Sequence, residues 1–242
     1  MKYIADLHTH TVASTHAYST IMENARYASE IGLEILGVTD HGPNLPGAPQ
    51  LWYFGNFKVL PKTLYGVRML YGCEANIIDY EGNVDLPLEI QEGLDLMIAS
   101  LHEPLMDGGK GADSNTTAIL KAMDNPNVNI LGHLGNPKFP INEEEIIKKA
   151  KEKNILIEIN NSSFISSRIG SQDTCTNIAK FCKKLGVRII LNSDAHFCYS
   201  IGEISFAQRL LKEIDFPEAL IINENKDDLI SYFNEKRKIN LF

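Results

Sequence analysis

Seven histidines carry most of the chemistry legible in this chain. His8 and His10 stand two apart near one end, and Asp194 and His196 repeat that spacing near the other. Side chains two apart on an extended segment share a face, so each pair offers two donors in one direction. Imidazole nitrogens with carboxylate oxygens suit Zn²⁺, Mn²⁺ or Fe. His16, His41, His102 and His133 are scattered between the pairs, and only a fold could gather them. Glu74 is the candidate bridge, because a carboxylate has two oxygens and can join two cations.

The elements that must position these groups alternate in type. Strands are expected at Tyr3–Leu7, Ile35–Thr39, Val67–Cys73, Leu94–Ala99, Val128–Leu131, Ile155–Ile159 and Arg188–Leu191, with a closing apolar run at Leu220–Ile222. Helices are expected at Ser19–Ile31, Asn115–Met123, Asn142–Lys153, Asp173–Leu185, Glu203–Glu213 and Lys226–Lys236. Thr20 and Glu23 read as a capping box, with Ile21, Ala25, Ala28 and Ile31 on one apolar face. Asn142 reads as the cap of an acidic first turn.

Alternation of this kind predicts an α/β fold, a parallel sheet with helices outside. Seven or eight strands are enough to close a barrel. Six of the seven histidines then follow strand carboxyl ends, the functional edge of a parallel barrel; His16 lies in the loop after His10. Glu74 follows Val67–Cys73, the early strand whose end lacks a histidine; the ordinary alternative is a solvated loop acid. Asp6 shares a face with His8 and is expected to support it. Alternation points Asp40 away from His41. A closed barrel makes the first and last strands neighbours, so the two i, i+2 pairs would face each other. The segment Gly42–Lys62 fits neither period. It is proline-rich, and Trp52-Tyr53-Phe54 suggests a loop packed over a binding face.

Composition sets bounds. The chain has 242 residues and a net charge of −8. No repeat, low-complexity tract or linker divides it, so one domain over 1–242 is expected. Without a basic stripe, nucleic acid is not an expected partner. No apolar run approaches the roughly 18 residues of a membrane span, and the N-terminus meets Asp6 and His8 too early for a signal peptide. A cytoplasmic protein is expected, with no membrane partner. Its four cysteines lack CxxC spacing and read as buried thiols. Cys182 and Arg188 match the C-x5-R spacing of cysteine phosphatases. However, Cys182 falls within a helix running into a strand, where no phosphate-cradling loop can form. Cys175 and Cys182, seven apart, read as one buried helix face.

The segments Asp6-Leu7-His8-Thr9-His10, Thr39-Asp40-His41-Gly42, Gly72-Cys73-Glu74-Ala75-Asn76, Gly132-His133 and Ser193-Asp194-Ala195-His196 resemble the PHP (polymerase and histidinol phosphatase) domain. The resemblance runs over nearly the whole chain. Val12 to Ser19, His102-Glu103-Pro104 and Glu158 to Phe164 look like its YcdX-type phosphatase branch. It implies a distorted TIM-like (β/α)7 barrel, with seven parallel strands, and three divalent metal ions. One ion would be held by His8, His10, Glu74 and Asp194; a second by Glu74, His102 and His133; a third by His16, His41 and His196. Zinc is the first choice for the all-histidine site, whose three protein ligands leave a position open; Mn and Fe are the alternatives.

The reaction expected is direct hydrolysis of a small phosphate monoester by hydroxide formed at a metal whose bound water has a pKa near about 7. No phospho-enzyme is needed for it. Glu74, Asp194 and His196 belong to this centre. Arg168 would contact phosphate or a substrate tail, an ordinary surface arginine being the alternative. With Glu74 and Asp194 counted, the loaded cluster is about +4. Surface charges beyond roughly 8 Å are screened, so the local field favours an anion despite the acidic chain. Rival readings are a histidinol-phosphate phosphatase and an amidohydrolase, which does not explain His16, His41 and Glu74 together. A nucleic-acid exonuclease lacks its basic groove, and a metal-binding module without turnover is the non-enzymatic rival. A homo-oligomer is left open by the resemblance.

Overall fold

The computed structural model describes residues 3–165 and 168–237. Ser166 and Ser167, next to the candidate Arg168, lie outside them. Strands β1 (Ala5–Asp6), β2 (Ile35–Val38), β4 (Val67–Asn76), β5 (Leu96–Ser100), β6 (Ile130–Leu131), β7 (Leu156–Asn160) and β8 (Ile189–Asn192) pair in that order, every pair parallel. β3 (Thr63–Leu64) hangs antiparallel on β4. Between and after the strands come helices α1 (Ile21–Glu30), α2 (Leu51–Gly55), α3 (Leu88–Gly93), α4 (Ala112–Ala122), α5 (Glu143–Lys153), α6 (Gln172–Leu185), α7 (Ser205–Glu213) and α8 (Lys226–Arg237). The expected α/β barrel of seven parallel strands is present, and it is nearly closed.

Closure between β8 and β1 uses few ladder bonds. Thr9 bridges Ala195 in parallel at one end, where the His10 amide donates to the Ala195 carbonyl at 2.8 Å. Lower down, buried Asn223 spans the seam. Its Nδ2 donates to the Ala5 carbonyl (3.0 Å) and the Leu191 carbonyl (2.6 Å), and its Oδ1 accepts from the Leu191 amide (3.2 Å). The run expected at Leu220–Ile222 is two 3-10 turns here, with Ile221 bridging Ile189.

Residue alternation explains the barrel's interior. At the strand starts Ile35, Leu70, Leu96, Ile130, Leu156 and Ile190 point inward and pack on Leu229, Tyr232 and Phe233 of α8. These three are essentially inaccessible, and burying each contributes about 2 kcal/mol. Moving up each strand by two changes the chemistry. Leu70 gives way to Gly72, Glu74 and Asn76; Leu156 to Glu158 and Asn160; Ile190 to Asn192 and Asp194. Gly72 is needed because a Cβ there would run into the Leu96 carbonyl. The outward positions, such as Met69, Tyr71, Met97 and Ile157, form the larger core under the helices.

Several local expectations shift. Thr20 and Glu23 do form the capping box of α1, but Ile31 is exposed and buried Asn24 takes its share of the inner face. Asn142 precedes α5 without capping it; its side-chain amide donates to Asp113 instead (2.9 Å). The strand ending at Cys73 continues to Asn76 because it pairs with β5 through Ser100, so Glu74 sits inside a strand. The segment 42–62 is structured, with α2 and a 3-10 turn at Phe57–Val59. Phe54 and Phe57 are buried, whereas Trp52 is 89% exposed. α6 buries Cys175, Ile178, Ala179 and Cys182 as one face.

Candidate metal centre

At the carboxyl ends of the strands all seven histidines converge on two carboxylates. Glu74 of β4 is fully buried. One of its oxygens, Oε1, lies 2.7 Å from His133 Nε2 and 3.1 Å from His102 Nε2. The other, Oε2, lies 2.7 Å from His41 Nδ1, 3.4 Å from His8 Nε2 and 3.6 Å from His10 Nε2. Asp194, just past β8, turns Oδ1 to His10 (3.1 Å), His8 (3.5 Å) and His196 (3.6 Å). Its Oδ2 meets Asn160 Nδ2 (3.1 Å) and Arg168 Nη1 (3.2 Å). His16 completes the group, its Nε2 3.2 Å from that of His41.

Geometry agrees with the alternation argument at the seam. His8 and His10 face one way, ring centroids 5.2 Å apart, and His10 meets the Asp194–His196 pair across the closing bridge. His133 and Asp194 both adopt positive φ, +30° and +57°. Such backbone is costly away from glycine, about 1–3 kcal/mol each, and clusters at functional sites.

Several of these histidines are held from behind, by the ring or by the backbone amide. Glu158 Oε1 lies 2.7 Å from His8 Nδ1, and its Oε2 accepts from the His133 amide (2.8 Å). Asn76 Oδ1 lies 2.7 Å from His102 Nδ1, while Asp85 accepts from the Asn76 amide. Ser14 Oγ donates to Asp40 (2.7 Å), accepts from the His41 amide (3.1 Å) and stands 3.4 Å from His10 Nδ1. Asp40 also accepts from Thr11 and from Tyr53 of α2 (2.6 Å).

Glu158 is the functional residue that the sequence reading left without a role. Its signal was an acid at an inward position of a strand flanked by Ile157 and Ile159. Asp6 was expected to support His8, but Glu158 meets that ring. Asp6 accepts from the His8 backbone amide at 3.4 Å and chiefly braces Ser193 and Gly202.

The field inside the cluster follows from these contacts. Burial alone would raise Glu74, but His102, His8 and His41 outweigh it and hold the carboxyl well below its usual range. Asp194 is likewise held low against burial by His8, His10 and Arg168. Burial would lower His8, yet Glu158, Asp194 and Glu74 push it well above an ordinary histidine. Burial and His41 hold His10 well down, and burial with Arg168 holds His133 to about 4. Cys182, the would-be nucleophile, is buried in α6 with its thiol pushed up by that burial, and Arg188 is spent on Asn154.

The donor set fits a divalent cation. His8 Nε2, His41 Nδ1, His102 Nε2 and Glu74 Oε2 are buried and, although they crowd within 2.7–3.4 Å of one another or of Glu74 Oε1, make no well-aligned hydrogen bond. Polar atoms buried without partners are costly unless something fills them. Three trios each bring one donor per residue within 4.8 Å of the others: His10, His41 and His196; His8, His10 and Asp194; His41, Glu74 and His102. The second lies within one ligand set implied by the resemblance. The first and third cut across those sets. A cavity of about 660 Å³ opens over the cluster, lined by His16, His41, His102, Asp194, His196 and Arg168 among others.

Known proteins locate this arrangement. The PHP domain family model matches residues 6–162. The chain belongs to the PHP domain family. It is 60% identical over 239 residues to a probable phosphatase of Clostridium novyi (strain NT), covering 99% of this chain and 98% of that one. A probable phosphatase of Clostridium botulinum (strain Hall) is 54% identical over the same shares. Among solved structures, the histidinol phosphate phosphatase of Lactococcus lactis, complexed with zinc, L-histidinol and phosphate, superposes with a TM-score of 0.61 at 20% identity. The overlap covers 89% of this chain and 95% of that one. The putative histidinol phosphatase of Listeria monocytogenes gives 0.59 at 16% identity, covering 84% and 99%. The PHP chain thus shares its barrel with both. No described helix is long and apolar enough to cross a membrane.

Proposed function

We propose that this PHP protein is a metal-dependent phosphatase that hydrolyses a small phosphate monoester at a centre of three divalent ions. The observation that carries this reading is Glu74. Its two oxygens face two different groups of histidines, and buried nitrogens on both sides make no well-aligned hydrogen bond. His8, His10, Glu74 and Asp194 would hold one ion, Glu74, His102 and His133 a second, and His16, His41 and His196 a third. The donors suit zinc first, with Mn or Fe as alternatives. The names of the clostridial relatives and the zinc in the lactococcal structure support the same reading. When bound, such ions supply a water acidic enough to ionise near neutral pH and positive charge for phosphoryl oxygens.

The chain's own groups do the positioning. Asp194 is fixed on both oxygens, by His10 on one and by Asn160 and Arg168 on the other. Arg168 lines the cavity with Nη1 on Asp194 and would orient the phosphoryl group by paired N–H donors. His196, partly exposed beside Asp194, would meet the substrate. Purified protein loaded with Zn, Mn or Fe should hydrolyse p-nitrophenyl phosphate. Absence of turnover with all three metals would leave a binding module.

A further inference from the structure

Tyr18 (73% exposed), Ile165 (53%) and Phe197 (45%) all stand on the wall of the cavity above the histidines, joined by Leu45. Phe197 packs edge-on against Tyr199 (centroids 5.2 Å), which packs on Tyr27 (5.1 Å), so the wall has an aromatic backing. Tyr18 is tied to the site by its backbone, its amide donating to the His196 carbonyl at 2.8 Å. Water-facing apolar surface gathered at the mouth of a polar cluster marks the place where a ligand's apolar body is covered.

Charge on the same wall points the same way. Apart from the histidines, Arg168 supplies positive charge to the lining, and it is engaged with Asp194. Glu103 is paired with Lys138, while Glu203 has no ion pair among the described residues and only accepts from the Ser205 amide (3.1 Å). A second anionic group brought beside Glu203 would meet a carboxylate that pairs with no cation among the described residues.

Resting on the phosphatase reading, we infer that the preferred substrate is a phosphate monoester whose alcohol is aromatic or apolar and carries no second anionic group. The phosphoryl group enters the histidine cluster and the organic body lies against Tyr18, Ile165 and Phe197. Sugar phosphates lose the apolar contact. Phosphorylated carboxylic acids and bisphosphates in addition meet Glu203.

The test compares kcat/KM for benzyl phosphate, glucose 6-phosphate and 3-phosphoglycerate on the metal-loaded enzyme. All three release an alkoxide, so the comparison reads the organic body and not leaving-group acidity. Benzyl phosphate should lead glucose 6-phosphate by about tenfold or more, as a hydrophobic subsite discriminates, and 3-phosphoglycerate should come last. Tyr18→Ala should raise KM for benzyl phosphate about tenfold with kcat nearly unchanged, the sign of lost uniform binding. Glu203→Lys should raise the 3-phosphoglycerate to benzyl phosphate ratio of kcat/KM about tenfold. Equal kcat/KM for all three substrates, or ratios untouched by both variants, overturns the substrate class while leaving the phosphatase standing. Failure to hydrolyse any phosphate under any metal overturns both.

Discussion

Glu158 Oε1 lies 2.7 Å from His8 Nδ1, joining two buried residues 150 apart in sequence. The contact fixes which nitrogen His8 turns toward Glu74 and Asp194. A carboxylate behind a ligating imidazole sets the ring's orientation and raises its basicity, and its loss costs 10–100-fold in metal affinity in comparable sites.

Glu158→Gln keeps the shape and removes the charge. Zinc affinity, read by competition with a chromophoric chelator, should fall about 10–100-fold while the circular dichroism spectrum is unchanged. Wild-type affinity in the variant would show that Glu158 merely fills space.

Asp194→Asn should leave the barrel folded, because Asn160 and Arg168 still have an oxygen to meet. Turnover of p-nitrophenyl phosphate should drop by about 10³-fold, the scale seen when a group acting on transition-state charge is removed. A fully active variant would refute its place in the centre.

Asn223→Ala probes the seam between β8 and β1. Three buried hydrogen bonds disappear with that amide, and backbone groups of Ala5 and Leu191 are left without it. The expected loss is about 3 kcal/mol in urea-monitored unfolding. A change below about 0.5 kcal/mol, the range of ordinary surface substitutions, would mean the seam is held elsewhere.

Acid should unfold the chelator-treated protein. Glu74 and Asp194 have folded pKa values depressed below their ordinary range. Their stabilising contribution is therefore present above the unfolded carboxylate range of about 4 and is lost as pH falls through the folded values. His8 is raised, so its contribution has the opposite sense: full below about 6.5 and lost as pH rises through its folded value. His10 and His133 are lowered, so their contribution is present above about 6.5 and is lost as pH falls toward their folded values. A thermal melt series of the metal-free protein should therefore show the melting temperature falling from about pH 6.5 to about pH 4 and further below it. A melting temperature that is unchanged or rises as pH falls from about 6.5 to about 4 would contradict the charge arrangement.

Much of this site was legible because metal-donor residue types are rare at strand ends and their spacing obeys strand alternation. The His8–His10 and Asp194–His196 pairs met across the seam as the topology required. Strand ends were misread by one to three residues where pairing with a neighbour, as in β4 beside β5, extends the ladder beyond the apolar run. Glu158 was legible only as an inward-facing acid; its role needs the fold to bring His8 and, from the neighbouring β8, Asn192 to it. Asp40 looked remote from His41 by alternation, yet it acts through Ser14, a contact across 26 residues. The role of Asn223 lies wholly in tertiary structure, since nothing in its neighbourhood in sequence marks a seam.

Anomalous diffraction from crystals of metal-loaded protein, measured at the zinc, manganese and iron edges, tests the central claim most directly. Three peaks are expected around the Glu74 carboxylate: one among His8, His10 and Asp194, one beside His102 and His133, and one among His16, His41 and His196. Crystals showing no anomalous density inside this ring of side chains, after loading with each metal in turn, would contradict it.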